Sequence, residues 1–226
     1  RHIINLALSA PRNEAGFFPL VYMPDKKQWL TSTLGPSPSP RHIFHRGKGH
    51  VHNVVAMSKS AAHMIEYYKR CEQDQEIIDY LTPFADTLVK EIDDRGAIAS
   101  YYTPDMKPIA DLWVSAQPAA MMWFLAEMAG VTGETRYRSG AERIAAYLMK
   151  EIIPQQRWID LEVHYSCGRN PLTYTLDEEQ SLPIRGNLST HWAAKGFQAL
   201  YKVTGDRARS SRLAPTMVCM SAVASA

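Results

Sequence analysis

The 226-residue chain carries a formal net charge of +2, and 46% of its residues are hydrophobic while 21% are charged. A chain of this size and composition can bury a substantial core in one domain, and its balanced charge argues against a nucleic-acid-binding protein. No apolar run approaches the roughly 18 residues of a transmembrane helix, so we also expect no membrane partner.

The cysteine content argues against two further classes of protein. Cys71, Cys167 and Cys219 make an odd number without a CxxC pair, which argues against both a disulfide framework and a zinc cluster. We therefore expect no metal site and no cofactor. The opening RHIINLALSAPR has too brief an apolar run for a signal peptide, and its start at Arg1 leads us to expect an excerpt from a longer protein.

Residues 1–50 are predicted to form an irregular N-terminal segment. They contain six prolines, including the extended stretch GPSPSP, and they run into the basic sequence RHIFHRGKGHVH. The histidines of this sequence are not spaced for a metal on one helix face. A basic loop before a helix is the preferred interpretation, with a substrate-facing His50 or His52 as the alternative.

Five helices are predicted from apolar periodicity between Val51 and Asp206. The first has its apolar stripe from Val54 to Tyr68, and the second runs from about Asp74 to Ile92 with a kink or late start at Pro83. The third covers about 115–131, the fourth runs from about 134 to the stop at Pro154, and the fifth covers about 188–203 with Asn187 as its N-cap. The last residues, 207–226, lose this period and are predicted to be an irregular tail.

The predicted helices repeat along the chain. A shift of 60 residues lays Lys90-Glu91-Ile92 on Lys150-Glu151-Ile152, and a shift of 72 lays Val131-Thr132-Gly133-Glu134 on Val203-Thr204-Gly205-Asp206. The unit is a helix, a short turn, a helix and a long connection. We therefore predict an all-α domain over 51–206 made of helical hairpins, with the long connections 97–113 and 153–187 together at one end, which we call the rim.

These hairpins resemble the (α/α) toroid enzymes that act on carbohydrates, the six-hairpin glycosidase and polysaccharide lyase group. The resemblance rests on RWIDLE at 157–162, the YSC turn at 165–167, and LSTHWAA followed by LYKVTGD within 188–206. It implies part of an incomplete toroid, because about six hairpins close such a ring and this chain has room for two and a half. An exposed apolar flank would then be covered by the remainder of the toroid or by a second copy.

The resemblance implies an oligo- or polysaccharide substrate and a site in the rim connections. Glycoside hydrolysis uses paired carboxylates, and uronate elimination uses a base with cationic groups that stabilise the enediolate. The catalytic candidates are Asp160, Glu162, His164, Tyr165 and Arg185. The substrate-binding candidates are Tyr101, Tyr102, Asp111, Trp113, Arg157, Trp158, Asn187 and His191.

Several alternatives remain open at this point. Asp160, Glu162 and His164 alternate with apolar residues, as in a half-buried strand, and His191 shares a helix face with Lys195 and Lys202 that is typical of a solvated surface. The loop's arginines and histidines favour an anionic sugar. A hydrolase or lyase is the first hypothesis, followed by a sugar epimerase on the same architecture and a non-catalytic helical-repeat binding protein. Degradation of polysaccharide would imply an extracellular or periplasmic location.

Overall fold

The computed structural model describes residues 1–30, 51–109, 115–155, 158 and 187–205, and these are mainly α-helical. The predicted all-α class is confirmed. The helices are α1 His2–Leu8, α2 Val54–Arg70, α3 Gln75–Glu91, α4 Pro118–Thr132, α5 Thr135–Tyr147 and α6 Asn187–Thr204, with a π-helical turn over Leu148–Ile152 after α5. Two short antiparallel pairs accompany them: β1 Tyr22–Met23 with β2 Gln28–Trp29, and β3 His52–Asn53 with β4 Tyr101–Tyr102.

The helix starts follow from identifiable residues. The Asn53 side chain accepts a hydrogen bond from the Ala56 N–H at 3.0 Å, and the Asp74 side chain accepts one from the Glu76 N–H at 3.0 Å. Pro118 occupies the first position of α4, where its missing N–H costs nothing. The predicted cap of the last helix is corrected by one residue, because α6 begins at Asn187 itself.

Helix α4 lies at the centre of the fold. It packs against α5 and against both α2 and α6, whose side chains meet across it. Helix α6 approaches α4 so closely that a Cβ atom on Gly196 would lie 3.1 Å from the backbone nitrogen of Trp123. Every residue from Pro118 to Ala129 is consequently buried, where the sequence had predicted one buried stripe. We call α2, α4 and α6 the inner row.

The repeat predicted from the sequence has a structural counterpart at the ends of α4 and α6. The N–H of Gly133 donates to the Ala129 carbonyl at 3.0 Å, and that of Gly205 donates to the Tyr201 carbonyl at 2.7 Å. Both glycines have φ of +72°, which closes the helix in a left-handed turn. The two phrases 72 residues apart therefore form the same helix end. Continuation of the hairpins into a closed toroid stays a prediction.

The described part of the first long connection lies against the starts of α2 and α4. The Val54 N–H, at the start of α2, donates to the Ser100 carbonyl at 3.0 Å, and β3 pairs with β4 beside it. The Tyr147 hydroxyl at the end of α5 donates to the Ser115 carbonyl at 3.1 Å, just before α4. The first connection thus returns to the end of the inner row at which α2 and α4 begin. The second connection lies mostly outside the described residues, and its place at the rim stays a prediction.

The N-terminal segment differs from its prediction. Within its described part, 1–30, it contains α1 and the β1–β2 pair, so it is not irregular throughout. This segment also supplies a hydrogen bond that α3 cannot make itself. Pro83 has no N–H that could bond to the Asp79 carbonyl. The Arg12 guanidinium donates to that carbonyl at 3.1 Å and to the Tyr80 carbonyl at 2.6 Å. The predicted irregularity at Pro83 is thus accommodated inside a continuous helix.

Replacing Arg12 with methionine is expected to lower the free energy of unfolding by about 1 kcal/mol. The variant leaves the Asp79 carbonyl without a protein donor, and loss of a hydrogen-bond partner at a partly exposed site costs at the lower end of the roughly 1–3 kcal/mol range. Urea denaturation followed by circular dichroism would measure the change. Arg138→Met on α5 is the control, and an equal loss in both variants would contradict the proposed role of Arg12.

Candidate functional site

The predicted tyrosines of the rim are buried. Tyr101 and Tyr102 are each 1% exposed. The Tyr102 hydroxyl donates to Glu91 Oε2 at 3.1 Å, and its ring packs edge-on against Phe17 at 5.4 Å between centroids. Burial, with the charge and hydrogen bond of Glu91, raises the pKa of Tyr102 well above its ordinary value. In this structure both rings belong to the packing under the rim, and their sugar-stacking role stays a prediction.

Trp158 and His191 lie at the start of α6. Trp158 is fully buried, and its carbonyl accepts a hydrogen bond from the Ser189 hydroxyl at 3.2 Å. His191 is exposed one turn before Lys195, so both residues lie on one side of α6. Leu188, which the apolar period of the fifth predicted helix would place on its buried stripe, is 43% exposed. The other predicted site residues lie outside the described residues, or have side chains that do: Asp111, Trp113, Arg157, Asp160, Glu162, His164, Tyr165, Arg185 and Asn187.

His52, the alternative substrate-facing histidine, is half-buried in β3. Its ring packs edge-on against Phe17, with 5.4 Å between ring centroids. Burial lowers the pKa of His52 below its ordinary value, so the neutral imidazole is favoured there.

Four buried polar groups near the rim have no hydrogen-bond partner within the part of the chain that the structure describes. They are the hydroxyls of Ser58 and Ser100, Gln117 Oε1 and Trp158 Nε1, each at most 1% exposed by residue. Most buried polar groups in proteins are paired, so each of these four atoms has capacity for a further hydrogen bond. Ser58 and Gln117 lie at the starts of α2 and α4, and Ser100 and Trp158 contact the starts of α2 and α6.

On one face of the inner row, side chains of α2 and α6 meet across α4. Lys59 Nζ on α2 lies 4.2 Å from the ring centroid of Trp192 on α6, and Lys195 Nζ lies 3.5 Å from Glu66 Oε1 on α2. Trp192 is therefore part of the packed core. We call this the inner face; its residues are Lys59, His63, Glu66, Trp123, Glu127, Trp192 and Lys195.

A histidine and a carboxylate are paired in the middle of the inner face. His63 Nδ1 lies 3.1 Å from Glu66 Oε2, and the His63 ring stands edge-on to Trp123, with 5.1 Å between centroids. Lys195 Nζ lies 4.2 Å from the Trp123 centroid. The imidazole is thus held by a carboxylate and an indole while its side chain remains 60% exposed, so it is accessible to a molecule on the inner face.

The charges around Glu66 favour its ionised form. Burial by itself would raise the pKa of Glu66, but the hydrogen bond from His63 and the charges of Lys195, His63 and Arg70 outweigh it. The pKa consequently lies below its ordinary value, and Glu66 is a carboxylate at neutral pH. The carboxylate orients the imidazole ring through its contact with Nδ1.

A second carboxylate belongs to α4, one turn beyond Trp123. Glu127 is 8% exposed, and it accepts hydrogen bonds from Trp123 Nε1 at 3.3 Å and from Lys69 Nζ at 2.6 Å. These contacts fix the indole against which His63 packs. Glu127 therefore connects the His63 pair to the opposite end of the inner face.

Sequence reasoning placed the site in the connections and missed the inner face. Lys195, read as part of a solvated helix face, instead contacts Trp123 and Glu66. One signal was present, because the 60-residue shift that aligns the hairpins also lays His63 on Trp123. Among the described residues, no group of three His, Cys, Asp or Glu side chains is placed to hold a metal ion, and no described helix is long and apolar enough to cross a membrane.

Comparisons with known proteins add a fold relationship. No known family matches the sequence, and no curated protein matches it. The chain is similar in structure to a crystal structure of a sugar epimerase from a ruminal bacterium, with a TM-score of 0.61 and 15% sequence identity. The match covers 93% of this chain and 49% of the other, so this chain spans about half the length of that solved structure. At this identity the likeness shows a shared fold.

Proposed function

We propose that this chain forms part of a sugar-converting enzyme in which His63 takes a proton from a carbon atom of the sugar. The observation that carries the proposal is the placement of the His63 imidazole on the inner face, held by Glu66 at 3.1 Å and by Trp123. The fold supports a sugar as the substrate class, because a solved sugar epimerase shares it.

The geometry of the pair suits a general base. A proton on Nδ1 of His63 is donated to Glu66, which leaves the lone pair on Nε2 free for a substrate. A C–H bond next to a carbonyl or carboxylate breaks, the proton moves to Nε2, and the electron pair enters an enediolate. The Lys195 ammonium near Trp123 supplies positive charge close to that developing anion.

Two outcomes follow from the same enediolate. Return of a proton to the opposite face of the carbon gives the epimer, and His191 is the candidate donor because it lies one turn from Lys195 on the same side of α6. Departure of a β-substituent gives an unsaturated sugar instead. Epimerase and lyase, two of the hypotheses drawn from the sequence, therefore share this first step.

Hydrolysis is less well supported by the described residues. A glycosidase needs one carboxyl group that stays protonated at neutral pH so that it can give its proton to the leaving group. The pKa of Glu66 is shifted in the opposite direction, and Glu127 is bonded to Lys69 at 2.6 Å. The carboxylates predicted for hydrolysis, Asp160 and Glu162, lie outside the described residues.

Solvent exchange tests the proposal. The protein would be incubated in D₂O with neutral reducing sugars and with uronate oligosaccharides, and each sugar would be followed by proton NMR. We expect either deuterium at one sugar carbon together with an epimer, or an ultraviolet-absorbing unsaturated product in which that carbon carries no hydrogen. Release of reducing ends with neither deuterium at carbon nor ultraviolet absorbance would support hydrolysis instead. Saccharide binding without any turnover would support a binding protein, and either result would refute proton abstraction.

A further inference from the structure

The inner face continues as a groove toward the end of the helices opposite the rim. The groove has a volume of about 730 Å³, and α2, α4 and α6 all contribute to its walls, with the polar side chains Tyr68, Lys69, Gln73, Glu127 and Lys202 among its lining. Its size lies within the roughly 300–1,000 Å³ range of ligand pockets. Lys202 is seven residues beyond Lys195, or roughly 10 Å along the helix axis. The groove adjoins the inner face through Glu127, which lines the groove and bonds to the indole against which His63 packs.

The inner face and its groove are cationic. Together they carry four lysines, Lys59, Lys69, Lys195 and Lys202. Arg70 is also near enough to lower the pKa of Glu66. These five cations face two carboxylates, Glu66 and Glu127. The formal excess is three positive charges, compared with +2 for the whole chain. The surface that the proposed function uses therefore carries a positive excess among these seven side chains.

Lys202 is a cation of the groove that is placed to meet a ligand. Lys69 is bonded to Glu127 at 2.6 Å and Lys195 lies 3.5 Å from Glu66. Lys202 is exposed at the groove, and within the described ranges no carboxylate forms an ion pair with it. A ligand carboxylate would supply the missing negative charge, while Tyr68 and Gln73 offer an aromatic ring and an amide to the sugar hydroxyls.

We infer that the groove binds the carboxylate of an acidic saccharide, with Lys202 as its main contact. This inference rests on the proposed function and names its substrate class: an acidic oligosaccharide whose reacting unit lies beside His63 and whose next charged unit lies in the groove. The cationic groove steers such a substrate onto the inner face and fixes its direction along the inner row.

Calorimetric titration tests the inference with trigalacturonate and a hyaluronan tetrasaccharide as acidic probes and maltotriose as the neutral one. The acidic probes are expected to bind more tightly than maltotriose, and to lose that advantage as salt screens the charges.

Lys202→Gln should weaken acidic binding about tenfold, since it removes one charge-assisted hydrogen bond. Lys202→Arg should restore it, Lys202→Glu should weaken it further, and maltotriose binding should not change. Lys90→Gln on α3 is the matched control.

The results separate the two proposals. If the acidic probes bind no more tightly than maltotriose, or if Lys202→Gln weakens both equally, the inference is overturned while His63-dependent deuterium exchange still stands. If no saccharide binds and none exchanges, the proposed function falls together with the inference. Because Lys202 is exposed, its variants are expected to fold. Circular dichroism of each variant would show that a loss of binding does not come from unfolding.

Discussion

A variant with phenylalanine in place of His63 is expected to fold normally and to lose roughly a hundredfold to ten-thousandfold in kcat, the range for removal of a general base. Phenylalanine keeps the edge-on contact with Trp123, 5.1 Å between centroids in the native protein, but carries no nitrogen. The expected loss is therefore one of chemistry alone. Steady-state kinetics on the sugar that exchanges deuterium would measure it.

Two comparisons make this result specific. Glu66→Gln keeps a hydrogen-bond acceptor near His63 Nδ1 but removes the negative charge, so a smaller loss of kcat is expected, with little change in KM. His2→Phe, on the exposed start of α1, is the control and should leave kcat unchanged. Full activity in His63→Phe would show that His63 is only part of the packing around Trp123.

Replacing Gly96 with alanine is expected to destabilise the protein by about 2–5 kcal/mol. Gly96 has φ of +86°, and a left-handed backbone costs a residue with a Cβ atom about 1–2 kcal/mol. The new Cβ would also lie 2.2 Å from the Arg143 carbonyl oxygen. Relief of that overlap requires a backbone shift, and overpacking of this kind typically costs about 1–3 kcal/mol. The midpoint of urea denaturation would measure the sum.

Gly133→Ala is the matched control for Gly96. Gly133 has a similar φ of +72°, but nothing lies within 4 Å of the position of its Cβ. Only the left-handed strain of about 1–2 kcal/mol is expected there. The difference between the two variants isolates the cost of the contact with α5. Equal destabilisation would mean that the chain after α3 moves away from Arg143 without cost.

The five longer helices could be predicted from the sequence because each has an apolar face with the helical period. Their lateral arrangement could not be predicted in the same way. Trp123 and Phe124 suggest one buried side of α4, yet α4 is buried all round because neighbours pack on both sides of it. Helix α1 was missed because seven residues, most of them apolar, have no clear period. The π-helical turn after α5 had no sequence signal that we recognise.

The candidate site was harder to predict than the helices because its members are distant in sequence. His63 contacts Trp123 after 60 residues, and Glu66 contacts Lys195 after 129. Local pattern reasoning assigns such polar residues to a solvated helix surface, and only the three-dimensional order of α2, α4 and α6 brings them together. The rim candidates with unusual local composition, such as Asp160 and His164, stay predictions.

The hydrogen bonds from Arg12 to the carbonyls before Pro83 tie the N-terminal segment to α3 and stabilise the helix there. Local opening of the first half of α3 must release residues around Arg12, and detachment of that segment must expose α3 carbonyls to water. The two should therefore exchange their amide protons as one cooperative unit, whereas the amides of α4, enclosed by its neighbours, should exchange only when the whole domain unfolds.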